Sequence, residues 1–438
     1  MASSNEELNM RQQRREEMRR KREKEQKRLK IALIAAAVIL VVCAIGLIRM
    51  IQGAAPQQQV SVEAEATTAP AEETKPQTWA ERTATSTIHI RAAGDLNITD
   101  SVVASGLAAS GYEFTRSFID VAHLLSEADL TVLNLEGNIC GEPYGTARTS
   151  APKQILESLR SAGVDLVQVA NSTAINNGLI GLRSTLQAVH DAGLEPVGAY
   201  ASSADFQRAK GYTICEAQGI KVAFVAFTKG MNGMGLPSGS EDCVNLLYTD
   251  YDSEYKKVNT DGITKILKNV AAESPDVVIA LLHWGSEGTD TISDTQERIV
   301  KTMQKNGVDV IIGTHPHRVH KIDFNQASGT LVAYSLGDFF GDATAGGSNY
   351  SIILDLEITK DNHANVTRVT GYDYFPIYTQ KESDCIDGDR RVLRIHEAMY
   401  AYENNFVDAI TKSCYDDMAY SLERIDARIH DKDAKKEQ

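Results

Sequence analysis

The strongest constraint on the fold is a strand–helix–strand pattern in the second half of the chain. The apolar runs 277–282 and 308–312 are short and rich in β-branched residues, as expected for buried strands. Between them, Ile299 and Met303 share one side of a segment that ends at Gly307, which predicts a helix. Two strands joined in this way bring the residues that follow them to one edge of a sheet, where open α/β sheets bind ligands.

Histidines stand at both of these strand ends. His283 closes the first strand, and His315 and His317 follow the second in the sequence Gly-Thr-His-Pro-His. Three imidazoles at one sheet edge predict a metal site, because neutral imidazole is a common ligand of transition metals. A His-x-His pair alone is more often structural.

The same alternation extends over most of the chain and predicts an α/β fold. Further strands are predicted at 87–92, 130–135, 165–170, 195–198, 221–228 and 330–335, and helices at 118–127, 152–162, 179–192 and 261–272. The segments 350–358 and 364–374 predict an antiparallel pair, and 390–411 and 414–430 predict helices. A polar or ionisable residue recurs where strands stop, which capping alone does not explain: Asp95, Glu136, Asn171, His283, His315, His317 and Asp338.

Charge is distributed unevenly along the chain. The formal net charge is −14, and because the first thirty residues carry +5, the remainder carries −19. An acidic body excludes nucleic acid as the expected partner, since phosphate contacts need clustered Lys and Arg. An anionic substrate would need a bound cation to be held closely.

An apolar run near the N-terminus predicts where in the cell the protein is located. Residues 31–48 are uncharged and apolar, which is long enough to cross a bilayer. The basic segment 1–30 before it places the N-terminus in the cytoplasm and the main domain outside. A cleaved signal peptide is the alternative, but its apolar region would be shorter. The Gln-, Ala-, Thr- and Pro-rich stretch 52–85 predicts a disordered linker.

The spaced motifs, taken in order, resemble one known family, the CapA/PgsA capsule-biosynthesis family of the calcineurin-like metallophosphoesterase superfamily. They are Gly94-Asp95, Asn134-Leu135-Glu136-Gly137, Ala170-Asn171, Leu282-His283-Trp284-Gly285, Gly313-x-His315-Pro316-His317 and Tyr334-Ser335-Leu336-Gly337-Asp338-Phe339. The resemblance implies a four-layer α-β-β-α sandwich over 86–378. Outside it, the charged helical segments after residue 379 predict a helical C-terminal appendage over 379–438. The resemblance also implies one or two divalent ions, with Mn, Fe or Zn suiting these ligand types.

The resemblance assigns roles to five residues. Asp95 would bind one metal together with His317, Glu136 would bridge, and His283 and His315 would bind a second metal. Two such ions together can hold a phosphate and activate water.

The chain departs from the family pattern at Asn171-Ser172-Thr173, where members commonly read Asn-Asn-His. Asn171 and Thr173 are the catalytic candidates at this degenerate motif, yet a threonine hydroxyl cannot act as a general acid near neutral pH. We therefore expect a weakened second metal site and slow or absent phosphoester hydrolysis, so whether the protein is an enzyme stays open.

Four further residues are candidates for substrate binding: Asn97, Trp284, Arg318 and Asn232. Asn97 stands where the superfamily often has a ligand histidine. Trp284 could stack on a substrate or fill the core, and Arg318 could bind an anion or lie on the solvated surface. Asn232 belongs to a glycine-rich loop that would be either a lid or an ordinary flexible loop. Asp338 could support a histidine or cap a turn.

Three functions remain open at this point. The first is a cell-surface protein of poly-γ-glutamate or other capsule biogenesis, acting with an anionic polymer and with capsule synthesis or export proteins. The second is an extracytoplasmic metal-dependent phosphoesterase, and the third is a scaffold that kept the fold and lost the chemistry. Five cysteines lie outside the apolar run and none forms a C-x-x-C motif, so one or two disulfides are possible.

Overall fold

A computed structural model describes residues 84–343, 346–385, 390–406 and 410–430. The strands are β1 (Thr85–Asn97), β2 (Leu107–Ala108), β3 (Gly111–Tyr112), β4 (Leu130–Glu136), β5 (Leu166–Gln168), β6 (Glu195–Val197), β7 (Thr213–Ala217), β8 (Ile220–Thr228), β9 (Val277–His283), β10 (Val310–Thr314), β11 (Ile322–Asn325), β12 (Thr330–Ala333), β13 (Asp338–Phe340), β14 (Tyr350–Asp361), β15 (Val366–Thr379) and β16 (Val392–Arg394). The helices are α1 (Asp100–Ser105), α2 (Thr115–Ser126), α3 (Gln154–Ser161), α4 (Gly178–Asp191), α5 (Ser203–Ala209), α6 (Thr260–Ala272), α7 (Asp294–Lys305), α8 (Ile395–Glu403) and α9 (Lys412–Ile429).

Two large sheets dominate this part of the chain. The first has the order β16-β15-β14-β1-β4-β5-β6, with β13 also paired to β1, and the second has the order β11-β12-β10-β9-β8-β7. Within the second sheet, β8, β9, β10 and β12 run parallel, as the strand–helix–strand pattern predicts. The predicted antiparallel pair of β14 and β15 is also present. The mixed α/β class is therefore confirmed.

The two sheets pack face to face. In β8, Val222 and Phe224 belong to the core cluster shared with the first sheet, whereas Val225 and Phe227 pack with α6 and α7. This division follows from the side-chain alternation of a strand. Contacts of β1 with β10 and of β12 with β15 join the two sheets. The helices that contact the first sheet are α2, α4, α8 and α9, and they lie outside this pair of sheets. The layers are therefore helices, sheet, sheet and helices.

The segment after residue 378, expected to be a separate helical appendage, is part of this architecture. Its strand β16 pairs with β15 at the edge of the first sheet. Helix α9 buries Cys414, Met418 and Ile425 in the main core cluster. The strand was overlooked because it is three residues long and runs directly into α8, so the helical composition of the whole segment dominates the pattern.

None of the helices in the described part of the chain is long and apolar enough to cross a membrane. The predicted transmembrane segment 31–48, the basic segment 1–30 and the predicted linker up to residue 83 lie outside the described residues.

Candidate metal centre

The site is assembled from the ends of strands in both sheets. In the first sheet, Asp95 near the end of β1 lies beside β4, whose last residue is Glu136. In the second sheet, the last residue of β9 is His283, and the loop after β10 carries His315 and His317. Since the sheets pack face to face, side chains separated by more than two hundred positions meet.

Asp95 is completely buried and held from two directions. Its Oδ1 accepts a hydrogen bond from the Asn134 amide at 2.6 Å, and its Oδ2 accepts one from the backbone N–H of His315 at 3.0 Å. The backbone N–H of Asp95 donates to the carbonyl of Gly337 at 3.0 Å. These bonds fix both oxygens of the carboxylate relative to the histidine loop.

A close backbone approach makes this arrangement possible. A Cβ atom at Gly94 would lie 1.7 Å from the carbonyl oxygen of Gly337, so no side chain fits there. Gly94 therefore allows β1 and β13 to pair in parallel with Asp95 opposite Asp338.

Glu136 lies at the centre of the cluster. Its Oε1 accepts a hydrogen bond from the Ser172 hydroxyl at 2.6 Å and lies 3.3 Å from His283 Nε2. Its Oε2 lies 3.9 Å from His317 Nε2 and has no hydrogen-bond partner. The carboxylate thus lies next to an imidazole at the end of β9, His283, and to one in the loop after β10, His317.

Each of two imidazoles is oriented through its Nδ1 atom. His283 Nδ1 lies 3.1 Å from the Thr314 hydroxyl, and His317 Nδ1 lies 2.7 Å from Asp338 Oδ1. Both rings then present Nε2 to Glu136, which is the usual arrangement of a supported metal ligand. The alternative role of Asp338 as a support for a histidine is therefore the one the structure shows.

The loop that carries two of the histidines has an unusual backbone. His315 has a φ of 94° and His317 a φ of 55°, a region that residues with a side chain rarely adopt. Such conformations persist where the surrounding contacts impose them, and they cluster at functional sites. Here the bond from the His315 N–H to Asp95 is one of the contacts that impose it.

The electrostatics favour ligand forms for two members of the cluster. Burial alone would raise the pKa of Glu136, but the imidazoles of His283 and His317 outweigh it and lower that pKa. Burial and the neighbouring His283 lower the pKa of His315 well below its usual value. At neutral pH Glu136 is therefore a carboxylate and His315 a neutral imidazole, as metal binding requires.

For two other members of the cluster, Asp95 and His317, the pKa is raised rather than lowered. Burial raises the pKa of Asp95, and the nearby Glu136 carboxylate raises it further. Burial lowers the pKa of His317, but the carboxylates of Asp338 and Glu136 outweigh this and raise it. A divalent ion bound at this position would replace the proton on His317, so we expect metal binding to release a proton.

The donor atoms fit a divalent ion. Three groups each place their ligand atoms within 4.8 Å of one another: Asp95 with Glu136 and His283, Glu136 with His315 and His317, and Asp95 with His317 and Asp338. Asp95, Glu136 and His317 each belong to two groups, and Glu136 is the carboxylate that shares groups with all three histidines. Three buried atoms have no hydrogen-bond partner: Glu136 Oε2, His283 Nε2 and His315 Nδ1. A bound ion would give each of them a partner, because each could coordinate it through a lone pair.

The two catalytic candidates at the degenerate motif are occupied with structural bonds. The Asn171 amide donates to Asn134 Oδ1 at 3.0 Å and to the Leu135 carbonyl at 2.6 Å. Its oxygen accepts bonds from the backbone N–H and the hydroxyl of Thr173 at 3.1 Å and 2.9 Å. Asn171 and Thr173 therefore hold the loop, and it is Ser172 that reaches the cluster.

The four predicted substrate contacts have different fates. Trp284 is completely buried, and its indole N–H donates to the Tyr334 carbonyl at 2.9 Å, so it is a core residue and this prediction is corrected. Arg318 pairs with Asp290 at 3.2 Å. Asn97 is the last residue of β1 and lies opposite Glu136. The exposed Asn232 lines a cavity beside the cluster.

Replacing Trp284 by phenylalanine tests its structural role. We expect the Trp284→Phe variant to lose about 1–3 kcal/mol of unfolding free energy, because the Tyr334 carbonyl loses its donor and a cavity opens. Metal content should equal that of the wild type. Urea unfolding and elemental analysis measure the two quantities, and a loss of metal without a loss of stability would restore the substrate-binding interpretation.

A cavity of about 170 Å³ opens beside the cluster. It is lined by Ser172, Lys229, Gly230, Asn232, Tyr255, Ser286, Glu287 and His315.

Sequence reasoning did not assign roles to Asn134, Ser172 or Lys229. The position of Asn134 inside a buried strand, one residue before Leu135-Glu136, was the available signal.

Fold and site together define a class of protein: a two-sheet α/β protein with a cluster of carboxylates and histidines at its strand ends that could bind a metal ion. The chain belongs to the bacterial capsule synthesis protein PGA_cap family, whose model matches residues 89–343. This confirms the family resemblance inferred from the motifs.

Two curated relatives carry names from capsule synthesis. The chain is 26% identical over 196 residues to the capsule biosynthesis protein CapA of Bacillus anthracis, covering 44% of each chain. It is 25% identical over 240 residues to the PGA biosynthesis protein CapA of Bacillus subtilis, covering 53% of this chain and 57% of that protein. The chain thus spans about half the length of the curated relatives it matches.

Solved structures with a similar arrangement include two phosphatase-type proteins. A phosphatase from Mycoplasma pneumoniae aligns with 68% of this chain and 96% of its own, at 14% identity and a TM-score of 0.42. The calcineurin-like phosphoesterase YfkN from Bacillus subtilis aligns with 67% and 90%, at 19% identity and a TM-score of 0.41. Both TM-scores are low, and neither similarity carries a conclusion about the reaction.

Proposed function

We propose that this chain is a membrane-anchored, extracytoplasmic CapA-like protein that acts in the biosynthesis or export of an anionic capsule polymer such as poly-γ-glutamate. The family match over residues 89–343 and the names of the two Bacillus relatives support the capsule assignment. The apolar run 31–48 and the basic segment before it support the anchor and the outward orientation.

The observation that carries the proposal is the meeting of two carboxylates and three imidazoles at one edge of the paired sheets. Asp95, Glu136, His283, His315 and His317 would hold one or two ions of Mn, Fe or Zn. A bound divalent cation would supply positive charge that draws an anionic oxygen to an otherwise acidic domain.

The protein's own residues define what such a site can do. Asn134 and the His315 N–H fix Asp95, the Ser172 hydroxyl fixes one oxygen of Glu136, and Asp338 fixes His317. These supports keep the ligand atoms in place before any ion or polymer arrives. A polymer of γ-linked glutamate, with one carboxylate per residue, is the kind of anion that this arrangement would hold.

A metal-dependent phosphoesterase is the second candidate, since Glu136 has the position of a bridging carboxylate. The Ser172 and Thr173 side chains count against it, because neither supplies a general acid, whose loss typically costs about 10²–10⁴-fold in rate. A non-catalytic scaffold is the third candidate. Metal content and phosphodiester turnover separate the three: two ions with turnover favour the phosphoesterase.

A binding experiment tests the proposal. The full chain, purified in detergent and loaded with Mn²⁺, is titrated with fragments of poly-γ-glutamate, before and after treatment with a chelator. We expect affinity to fall at least about 10-fold on chelation, because a charge-assisted contact to the anion is lost. The His315→Ala variant should show the same fall and the His190→Ala variant, altered at an exposed position, should not.

Equal binding in all four samples would contradict a role of the centre in holding the polymer. Release of product from a phosphodiester by the wild type, lost in His315→Ala, would favour the second candidate.

A further inference from the structure

The cavity beside the candidate metal centre is lined by a lysine, Lys229. Lys229 follows β8 directly, and its backbone N–H donates to the carbonyl of His283 at 2.8 Å. The residue is thereby fixed to the strand that carries a candidate metal ligand. Its side chain and that of His315 line the same cavity.

The Lys229 amine is held in place by two contacts. Its Nζ donates to the Gly285 carbonyl at 2.7 Å and lies 4.9 Å from the ring centre of Tyr255. An ammonium group has three N–H donors, and the bond to Gly285 uses one of them. Neither partner is an anion, so the positive charge is positioned by neutral groups and stays available to a ligand.

The remaining lining groups indicate the chemistry of the ligand. Asn232 and Ser286 offer neutral hydrogen-bond donors around the cavity, the Ser172 hydroxyl is already donated to Glu136, and Glu287 is the lining carboxylate. Glu287 is exposed, so water screens its charge more than that of the partly buried amine. With a divalent ion held by the centre, the cavity would face two cationic groups, the ion and the Lys229 amine.

We propose that Lys229 binds an anionic oxygen, of a carboxylate or a phosphate, on the molecule that the metal centre holds. This inference rests on the proposed function, because it places the ligand's anionic group between the centre and the lysine. Lys229 then determines specificity: a ligand must present negative charge on the side of β8 as well as to the metal. Glu287 opposes that charge and limits affinity.

The test uses the full chain loaded with Mn²⁺ and two probes, inorganic phosphate and a γ-linked glutamate trimer, in calorimetric titrations. The Lys229→Met variant keeps the aliphatic stem and removes the charge. We expect its dissociation constant to rise about 10-fold or more for at least one probe, as expected for loss of a charge-assisted hydrogen bond. The probe that weakens identifies the source of the anion.

Two variants accompany this measurement. Lys301→Met removes a charge from an exposed position of α7 and should leave both affinities unchanged. Glu287→Gln should tighten the same probe about 3-fold, since it removes a carboxylate that repels the anion and competes with it for the charge of Lys229.

Metal analysis of each variant keeps the two proposals apart. A wild type without bound Mn²⁺ overturns the proposed function. A wild type that binds Mn²⁺, with phosphate and trimer affinities unchanged in both Lys229→Met and Glu287→Gln, overturns the role of Lys229 alone.

Discussion

Glu136→Gln is expected to remove the metal from this protein. The substitution keeps the size of the side chain and an oxygen that can still accept the Ser172 hydroxyl bond, but it removes the charge shared by two of the three ligand groups. Residues that only support a ligand typically cost about 10–100-fold in metal affinity when changed, so loss of a central ligand should cost at least about 100-fold. Elemental analysis after gel filtration measures the retained ion.

The Glu157→Gln variant is the matched control, because Glu157 lies on α3 with a side chain that is 54% exposed. It should retain the wild-type metal content. Addition of Mn²⁺ should raise the melting temperature of the wild type and of this control, since a ligand that binds only the folded state stabilises it. The Glu136→Gln variant should show no such rise. Equal metal content in all three proteins would exclude Glu136 as a ligand.

Arg390→Met is expected to be the most destabilising of the substitutions considered. Arg390 is 3% exposed, and its guanidinium donates to the Gln380 carbonyl at 2.7 Å, to the Ser101 hydroxyl at 2.9 Å and to the Gly341 carbonyl. It also lies over the ring of Phe340. Methionine would leave these buried acceptors without donors, which should cost about 3 kcal/mol or more.

Urea unfolding measures this loss as a lower midpoint with an unchanged slope. Arg208→Met provides the control, because Arg208 is 73% exposed and, among the residues that the structure describes, pairs with its helix neighbour Asp205. Its stability should stay within about 0.5 kcal/mol of the wild type. If both variants unfold at the same urea concentration, Arg390 does not join the C-terminal segment to the rest of the domain.

The sequence was most informative where chemistry coincides with the ends of strands. Asp95, Glu136 and His283 could be predicted because each closes an apolar run, and parallel strands carry their ends to one edge. That two sheets face each other could not be read from a strand pattern, since periodicity records burial but not the partner. The meeting of Asp95 with the histidine loop is a consequence of that packing.

The supporting residues were harder to predict. Asn134 lies within a strand in which all seven residues are buried, so it carries the same signal as its apolar neighbours. Lys229 looked like an ordinary charged loop residue, because its contacts with Gly285 and Tyr255 join segments far apart in sequence. Trp284 left two alternatives open, because a tryptophan beside a ligand suggests stacking; its N–H is satisfied by the backbone of Tyr334, so the core alternative holds.

The short strand β16 has a practical consequence for anyone who shortens this protein. A chain cut at residue 343, where the family match stops, would remove β14 and leave residues 85–92 of β1 unpaired on that side. A cut at 378 would keep β14 and most of β15 but expose the edge of β15 that pairs with β16. Exposed edge strands of this kind pair with strands of other chains and promote aggregation. Among recombinant versions that begin at residue 84, those that stop early should therefore precipitate, and those that reach residue 430 should remain in solution.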